Sequence, residues 1–299
     1  MTTATTPMIE LSNGVELPAL GLGVFQSPPD ETLTAVGAAI EYRYRLVDTA
    51  AAYGNEREVG EGIRRSGIDR GKVFVTTKLW ISDYGYEPAL RGFDGCVRRL
   101  GLDYVDLFLL HHPVPSDFDG TVAAYKAAEQ MLADGRARAI GVSNFSPQHL
   151  ESLVSRTDVV PAVNQVELHP FFTQQTLGDL HAASGIVTQA WSPLGGVNRY
   201  RPADANAVKN PLEHPTILGL AAKHQKTPAQ VVLRWHIEHG VSAIPKSVKP
   251  HRIKENFDVF DFALARDEVT AIDALDTGVR GGPDPELVDT KLYPFRVEN

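Results

Sequence analysis

Four side chains that can hold or transfer a proton stand early in the chain: Asp48, Tyr53, Lys78 and His111. Asp48, Lys78 and His111 each end a short apolar run, and Tyr53 follows Asp48 past three alanines. A buried lysine needs an anionic partner, which Asp48 provides, and a charged Lys78 stabilises tyrosinate and so makes the Tyr53 hydroxyl a better acid. His111 adds a hydrogen-bond donor or a second proton path. These residue types predict a proton-donating pocket that stabilises a carbonyl oxygen.

Each of these residues also has an ordinary explanation when it is taken singly. A lysine at a strand end is usually a solvated charge, a histidine after two leucines is usually a core residue, and an Asp-Tyr pair often begins a helix. Their order on consecutive strands favours the catalytic interpretation, because neighbouring strands lie about 4.8 Å apart and their ends meet at one edge.

The elements that must position these residues alternate regularly along the chain. Apolar runs rich in β-branched residues predict strands at 19–22, 46–48, 73–78, 105–111, 139–143, 162–165, 186–191 and 241–245. Helical patterns lie at 30–41, 56–66, 87–100, 118–133, 147–154, 173–183, 215–223 and 228–238. Strands that are apolar on both faces and are each followed by a helix indicate a parallel sheet with right-handed crossovers.

Two architectures fit this alternation, an open doubly wound sheet and a closed (β/α)8 TIM barrel. Eight units in about 230 residues favour the barrel. A dinucleotide fingerprint begins at Gly21-Leu22-Gly23 but has Gln26 in place of its third glycine. We therefore predict an α/β fold, a single barrel domain over residues 1–299. Asn13-Gly14 predicts an N-terminal β-hairpin that caps one end, and long loops are expected at 194–214 and 278–299.

Composition narrows the class of protein further. The 299 residues carry 29 basic and 37 acidic side chains, a net charge of −8, which lacks the basic footprint of a nucleic-acid-binding protein. Cys96 is the one cysteine, so neither an intrachain disulfide nor a CxxC metal framework is possible. Residues 1–7 lack the apolar core of a signal peptide, and no apolar run approaches the ~20 residues of a membrane span. We predict a cytoplasmic location, no membrane partner and no metal.

A bound cofactor is expected to supply chemistry that the four proton-handling residues lack. The amides of Asn144 and Gln165 end the fifth and sixth strands and could bind a carboxamide, and Trp191 offers a flat face to a planar ring. Strand eight leads into a basic turn with a helix start, which indicates a phosphate site in an otherwise acidic protein. A solvated basic turn is the alternative. The residues of this turn are Lys246, Ser247, Val248, Lys249, Arg252, Glu255 and Asn256.

At the level of motifs the chain resembles the aldo-keto reductases. The resemblance rests on Gly21-Leu22-Gly23, Asp48-Thr49-Ala50, Tyr53-Gly54-Asn55-Glu56, Thr77-Lys78, the run from Leu100 to Leu107, His111, Gly141-Val142-Ser143-Asn144-Phe145, Asn164-Gln165-Val166-Glu167 and Ile244-Pro245-Lys246-Ser247. These segments follow the family's order over nearly the whole chain. Within the family the chain is most similar to bacterial 2,5-diketo-gluconate reductase-like and methylglyoxal-reductase-like members.

This resemblance implies a (β/α)8 barrel that binds NADPH without a Rossmann fold and reduces small carbonyl compounds, with Tyr53 as the proton donor. It also implies a monomer. Ser143, Asn144 and Gln165 would hold the nicotinamide amide, and Trp191 would stack on its ring. Ser192 and Leu194 would begin the loop over the pyrophosphate. The groups expected around the 2′-phosphate and adenine are Lys246, Ser247, Val248, Arg252, Glu255 and Asn256.

The substrate pocket departs from the pattern of many such relatives. They carry tryptophan directly after the catalytic histidine, whereas this chain has His112, a smaller and titratable wall. Phe25, Trp80 and Tyr84 are the other expected walls beside His111, with part of the tail from Gly278 as a lid. The competing functions are a non-catalytic or redox-sensing NADPH-binding barrel, and, with less support from the strand ends, a metal-dependent barrel hydrolase.

Overall fold

Eight parallel strands close into a barrel in the computed structural model, which describes residues 6–195 and 210–298. Each barrel strand pairs with the next one along the chain, and the first and last are joined where Gly21 N donates to Ala243 O and Ala243 N donates to Ala19 O, both at 2.9 Å. The predicted (β/α)8 fold is confirmed. The strands are β1 (Met8–Glu10), β2 (Glu16–Pro18), β3 (Leu22–Gly23), β4 (Leu46–Asp48), β5 (Phe74–Leu79), β6 (Val105–Leu110), β7 (Ala137–Ser143), β8 (Val163–Glu167), β9 (Val187–Trp191) and β10 (Ser242–Ala243).

Ten α-helices surround these strands in the described part of the chain. The eight predicted helices are present within two residues at each end, and two of them begin with a capping hydroxyl, that of Ser146 or Thr227. The helices are α1 (Pro29–Glu41), α2 (Glu56–Arg65), α3 (Tyr86–Leu100), α4 (Phe118–Ala133), α5 (Pro147–Val154), α6 (Gln175–Ser184), α7 (Pro215–His224), α8 (Pro228–Glu238), α9 (Pro250–Phe257) and α10 (Arg266–Asp273).

Two of these helices, α9 and α10, are not among the eight predicted helices, although a helix start was expected in the basic turn that leads into α9. Each is short and mostly polar: in α9 the buried residues are Ile253 and Asn256, and in α10 they are Glu268 and Ile272. One apolar anchor per helix gives too little periodicity to mark a helical face. The loop predicted at 194–214 lies mostly outside the described residues.

The β1–β2 hairpin closes the amino-terminal end of the barrel, as predicted. Leu11 and Leu17 are buried against an interior apolar layer that includes Leu46 and Phe74, and Asn13 Nδ2 donates to Arg138 O at 2.9 Å. The turn ends at Gly14, whose φ of 79° is a conformation that a side chain would strain. Solvent is therefore excluded from this end by packed leucines.

The opposite end of the barrel is polar. The side chains of a strand alternate between its two faces, so every second residue belongs to a series that points into the barrel. The inward series runs from Leu46 to Asp48 on β4 and from Leu109 to His111 after β6. On β8 it runs from Val163 to Gln165. Successive inward positions thus change from apolar to polar toward the carboxyl ends of the strands, where TIM-barrel sites lie.

The tail after α10 crosses this polar end. Thr277 N donates to Phe171 O at 3.0 Å, and Trp80 Nε1 donates to Phe295 O at 3.3 Å on the other side of the mouth. The tail, which the structure describes up to residue 298, therefore lies over the mouth of the barrel, where part of it was predicted to act as a lid. Among the helices in the described ranges, none is long and apolar enough to cross a membrane.

Candidate active site

A buried ion pair lies at the centre of the polar mouth. Lys78 Nζ lies 2.6 Å from Asp48 Oδ1 and donates to Thr49 O at 2.9 Å, while the second carboxylate oxygen, Oδ2, accepts from Gln165 Nε2 at 2.7 Å. The two side chains are 0% and 2% exposed. Burial raises the pKa of Asp48 and lowers that of Lys78, and the attraction between the two charges opposes both shifts. Each charged group is hydrogen-bonded on more than one side, which holds the pair ionised.

Tyr53 lies directly above this pair. It ends a single 3₁₀ turn, Ala51–Tyr53, that follows β4, and Gly54 reverses the chain with a φ of 67°. Lys78 Nζ lies 5.1 Å from the centre of the Tyr53 ring. The ring of His111 lies 5.6 Å from that of Tyr53, edge to face. The four residues predicted from the sequence are thus brought together.

Asn55 fixes the turn that carries Tyr53. Its Oδ1 accepts from Thr49 Oγ1 at 2.8 Å, and its Nδ2 donates to Val24 O at 2.9 Å. The asparagine is 1% exposed and so links the segments after β3 and β4 without water. These bonds hold the start of α2 against the barrel and so fix the height of the tyrosine above the ion pair.

His111 and His112 form a stacked pair of imidazoles. Their ring centres lie 5.1 Å apart with planes 6° from parallel. Burial, and then the nearby charges of His112 and Lys78, hold the pKa of His111 well below its usual range. Burial, and then Arg280, lower the pKa of His112 to about 3. Both rings are therefore neutral near pH 7, and neutral His111 can donate only one hydrogen bond.

Acid is expected to destabilise the protein through its buried histidines. The pKa is lowered to about 3 in His112 and His236 and to about 4 in His181, in each case by burial. The unfolded chain, with histidine near ~6.5, binds more protons, so stability is full above that pH and falls as the pH drops below it. At about pH 5.5 each such histidine removes about 1.4 kcal/mol from the free energy of unfolding.

Urea unfolding at about pH 7.5 and pH 5.5 measures this loss. His112→Phe keeps a ring of similar size but removes one titrating group, so its loss between the two pH values should be smaller by about 1.4 kcal/mol. A loss equal to that of the native protein would show that His112 does not titrate in this window.

A cavity of about 410 Å³ opens above the four residues. Of the predicted substrate-contacting residues, four line it, and the tail adds further walls that were predicted only as a segment. Trp80 lies at the centre of these walls, stacked on Phe295 at 4.7 Å and edge-on to His111 at 5.2 Å. The aromatic, imidazole and tail residues lining the cavity are Phe25, Tyr53, Trp80, His111, His112, Trp191, Pro283, Tyr293 and Phe295.

Tyr84 does not line this cavity, contrary to the prediction from sequence. Its hydroxyl donates to His112 O at 2.6 Å and accepts from His112 N at 3.2 Å. Burial raises its pKa. The side chain thus braces the main chain behind the two histidines. An aromatic residue in a loop gives no sequence signal of which side its ring faces.

The residues predicted to contact the nicotinamide line the same cavity. Ser143, Asn144, Gln165 and Trp191 all contribute to its wall, as does Ser192, which was expected at the start of the pyrophosphate loop. The amide of Asn144 is already used: its Oδ1 accepts from Trp191 Nε1 at 2.9 Å, and its Nδ2 donates to His111 O at 3.0 Å and to Ser143 Oγ at 3.1 Å. Ser143 Oγ in turn donates to Gln165 O at 2.7 Å.

The predicted phosphate-binding residues lie at the edge of this cavity and beyond it. Lys246 lines the cavity and is exposed, and Arg252 is exposed on the first turn of α9. Ser247 Oγ accepts from Lys249 N at 3.1 Å where that helix begins. Val248, beside Ser247 in the chain, and Leu194, which follows β9, are half-buried. Asn256 is buried, and Glu255 Oε1 accepts from Thr227 Oγ1 at 2.9 Å.

Glu167 fixes the tail above the cavity, a role that the sequence did not suggest. Its carboxylate accepts from Gly281 N at 2.8 Å, from Gly282 N at 2.9 Å and from His169 Nε2 at 3.1 Å. A Cβ at Gly282 would lie 2.4 Å from the Trp191 ring, so only glycine permits this approach. The carboxylate is 0% exposed. The available signal in the sequence was its position two residues after Gln165, on the same face of the strand.

Comparison with known proteins decides the class of this site. Residues 19–277 match the model of the aldo/keto reductase family. The chain belongs to that family. It is an oxidoreductase, and the positions of Asp48, Tyr53, Lys78 and His111 around one cavity fit that class.

The chain is also similar in sequence and in fold to individual aldo/keto reductases. The chain is 56% identical to morphine 6-dehydrogenase of Pseudomonas putida over 96% of its own length and 97% of that protein. It is 44% identical to glyoxal reductase of Bacillus subtilis over 96% of this chain and 99% of that protein. The crystal structure of a Bombyx mori aldo-keto reductase in complex with NADP superposes with a TM-score of 0.86 at 32% identity, covering 99% of each chain.

Proposed function

We propose that this aldo/keto reductase reduces aldehydes and ketones to alcohols with NADPH, using Tyr53 as the proton donor. The observation that carries the proposal is the buried Lys78–Asp48 pair directly beneath the Tyr53 ring at the floor of the cavity. A fixed positive charge at this place stabilises the tyrosinate that remains after proton transfer. Because Lys78 is held by Asp48 and Thr49 O, its charge does not reorganise during the reaction.

Residues of this chain account for the protonation of the carbonyl oxygen and for the hydrogen bonding to it. A carbonyl oxygen within reach of the Tyr53 hydroxyl also lies beside His111, whose neutral ring can donate one hydrogen bond to it. The pKa of His111 is held low by burial, so it does not compete with Tyr53 as the acid. The aromatic walls exclude water from the site, which strengthens these interactions.

The residues at the cavity fit NADPH. Trp191 presents a ring to the cavity, and in the part of the chain that the structure describes no hydrogen bond reaches Gln165 Oε1, an acceptor suited to a carboxamide N–H. Lys246, Ser247 and Arg252 would hold the 2′-phosphate. Ser192 and Leu194 would begin the cover over the pyrophosphate, with Val248, Glu255 and Asn256 near the adenine. When bound, NADPH supplies a hydride equivalent to the carbonyl carbon.

The substrate class follows from the walls of the cavity. Six aromatic rings and two neutral imidazoles suit carbonyl compounds with a flat or compact body, which includes small dicarbonyls and keto-sugars. The names of the relatives support this range, since one is a morphine dehydrogenase and another a glyoxal reductase. A monomer acting in the cytoplasm, with no nucleic-acid or membrane partner, completes the proposal.

A panel of carbonyl compounds with NADPH and with NADH tests this function. The loss of NADPH absorbance on adding glyoxal, a keto-sugar or an aromatic ketone would support it. Nucleotide binding without turnover across the whole panel would instead favour a non-catalytic NADPH-binding barrel. Repeating the panel on His112→Trp shows how much this imidazole sets the substrate range.

Arg252→Ala is expected to weaken the binding of NADPH about tenfold and to change that of NADH less than twofold, because a guanidinium at this position contacts the 2′-phosphate alone. Fluorescence titration of both nucleotides measures the two dissociation constants. Lys254→Ala is the matched control: it lies on the same helix, 6.0 Å above the Tyr42 ring, and should leave both constants unchanged. Equal losses for NADPH and NADH in Arg252→Ala would remove Arg252 from the phosphate site.

A further inference from the structure

A continuous chain of hydrogen bonds crosses the barrel interior below the cavity. It begins at the Lys78–Asp48 pair and passes through the amide of Gln165, whose Nε2 donates both to Asp48 Oδ2 and to Gln189 Oε1 at 2.7 Å. Gln189 Nε2 then donates to Ser242 Oγ at 3.1 Å, and this hydroxyl donates to Pro18 O at 3.0 Å. Gln165, Gln189 and Ser242 are each at most 1% exposed.

The donor and the acceptor of every bond in this series of hydrogen bonds are fixed by the groups at its two ends, the Asp48 carboxylate and Pro18 O. The Pro18 carbonyl can only accept, so the Ser242 hydroxyl is committed as a donor and must itself accept from Gln189. Gln189 therefore turns its oxygen toward Gln165. At the other end, the Asp48 carboxylate also only accepts, so Gln165 must turn its NH₂ group toward both neighbours.

Both N–H groups of Gln165 are used in this way, which leaves its Oε1 as the open group. Within residues 6–195 and 210–298 no hydrogen bond to Oε1 is formed, and Gln165 lines the cavity. Asn144, the other amide at the strand ends, has both its oxygen and its nitrogen engaged. We propose that Gln189 and Ser242 are positioning residues that hold Gln165 with its acceptor toward the cavity, so that the site recognises the NH₂ of the nicotinamide carboxamide.

Gln189 is needed because a single bond to Asp48 does not determine where Oε1 points. With that bond alone, the amide can rotate about the Nε2–Oδ2 direction, and the second bond to Gln189 removes this freedom. The inference rests on the proposed use of NADPH. It goes beyond that proposal because neither Gln189 nor Ser242 belongs to the set of residues expected to touch the nucleotide.

The test compares the binding of NADP⁺ with that of its 3-acetylpyridine analogue, in which a methyl group replaces the carboxamide NH₂. Isothermal titration of the native protein should show the analogue binding about tenfold more weakly, the effect of one unpaired buried acceptor. In Gln189→Met this ratio should fall to about twofold, because Oε1 is no longer held toward the cavity. Ser242→Ala, a smaller change, should lower the ratio in the same direction.

Thr188→Val is the matched control. Thr188 is the neighbouring residue on β9, and its side chain contacts His181 Nδ1 at 2.8 Å on the other face of the strand. This variant should keep the native ratio. A native ratio in Gln189→Met would overturn the positioning role, and a native protein that binds NADP⁺ but does not distinguish the analogue would overturn the recognition of the NH₂. A native protein that binds neither nucleotide would instead refute the proposed function.

Discussion

Tyr53→Phe is expected to lower kcat by about a thousandfold while leaving the dissociation constant of NADPH within about twofold of the native value. The substitution removes the hydroxyl that protonates the carbonyl oxygen but keeps the ring, which packs 5.0 Å from Phe25 and 5.6 Å from His111. Neither the cavity walls nor the ion pair needs to move. Steady-state turnover of a small aldehyde and fluorescence titration with NADPH measure the two quantities separately.

Tyr293→Phe is the control for this experiment. Tyr293 lines the same cavity with its ring 5.9 Å from Trp80, and it is carried by the tail and not by the barrel. Its hydroxyl has no part in the proposed proton transfer, so kcat should stay within about threefold of the native value, well inside the effect of losing a general acid. If Tyr53→Phe retained native turnover, another group would have to be the acid.

Lys78→Met is expected to impair both folding and catalysis. The change leaves the Asp48 carboxylate 2% exposed without its cation, and breaking a buried pair in this way costs about 3–5 kcal/mol of the free energy of unfolding. Turnover should fall by about a hundredfold or more, since no fixed charge then stabilises the Tyr53 oxyanion. Urea unfolding and steady-state kinetics on the same preparation measure the two effects.

The double variant Asp48→Asn, Lys78→Met separates stability from catalysis. A neutral amide can still accept the hydrogen bond of Gln165 Nε2, so most of the lost stability should return, whereas activity should not. Lys126→Met, at an exposed position on α4, should change neither quantity. Recovery of turnover in the double variant would show that the Lys78 charge is not required.

The sequence predicts those parts of the site that depend on strand ends. Asp48, Lys78 and His111 were found because a parallel strand carries its side chains in a fixed alternation and its carboxyl end opens on the mouth. The partner of Lys78 followed from the cost of burying a lone charge, and the structure has the expected Asp48–Lys78 bond. The alternation of side chains within one strand and the cost of burying a charge were therefore sufficient to predict these residues.

The remaining parts depend on contacts between segments that are far apart in the chain. Gln189 meets Ser242 only because β9 and β10 are neighbours in register, and Glu167 meets Gly281 across 114 positions. The side of the loop on which Tyr84 lies was predicted wrongly for the same reason. A signal for Gln189 was nevertheless present, because a glutamine two residues before Trp191 shares its inward face.

Glu167 attaches the tail to the barrel, and these two parts of the enzyme tolerate amino-acid substitution to different extents. The groups that handle the proton belong to the barrel, whereas Pro283, Tyr293 and Phe295 belong to a segment whose main chain donates hydrogen bonds to barrel residues, or accepts them, at Gly281, Gly282 and Phe295. Main-chain bonds are indifferent to most side-chain replacements, so new tail residues can accumulate while Glu167, Gly281 and Gly282 stay. Selection can therefore reshape substrate preference through this segment without disturbing the chemistry below it.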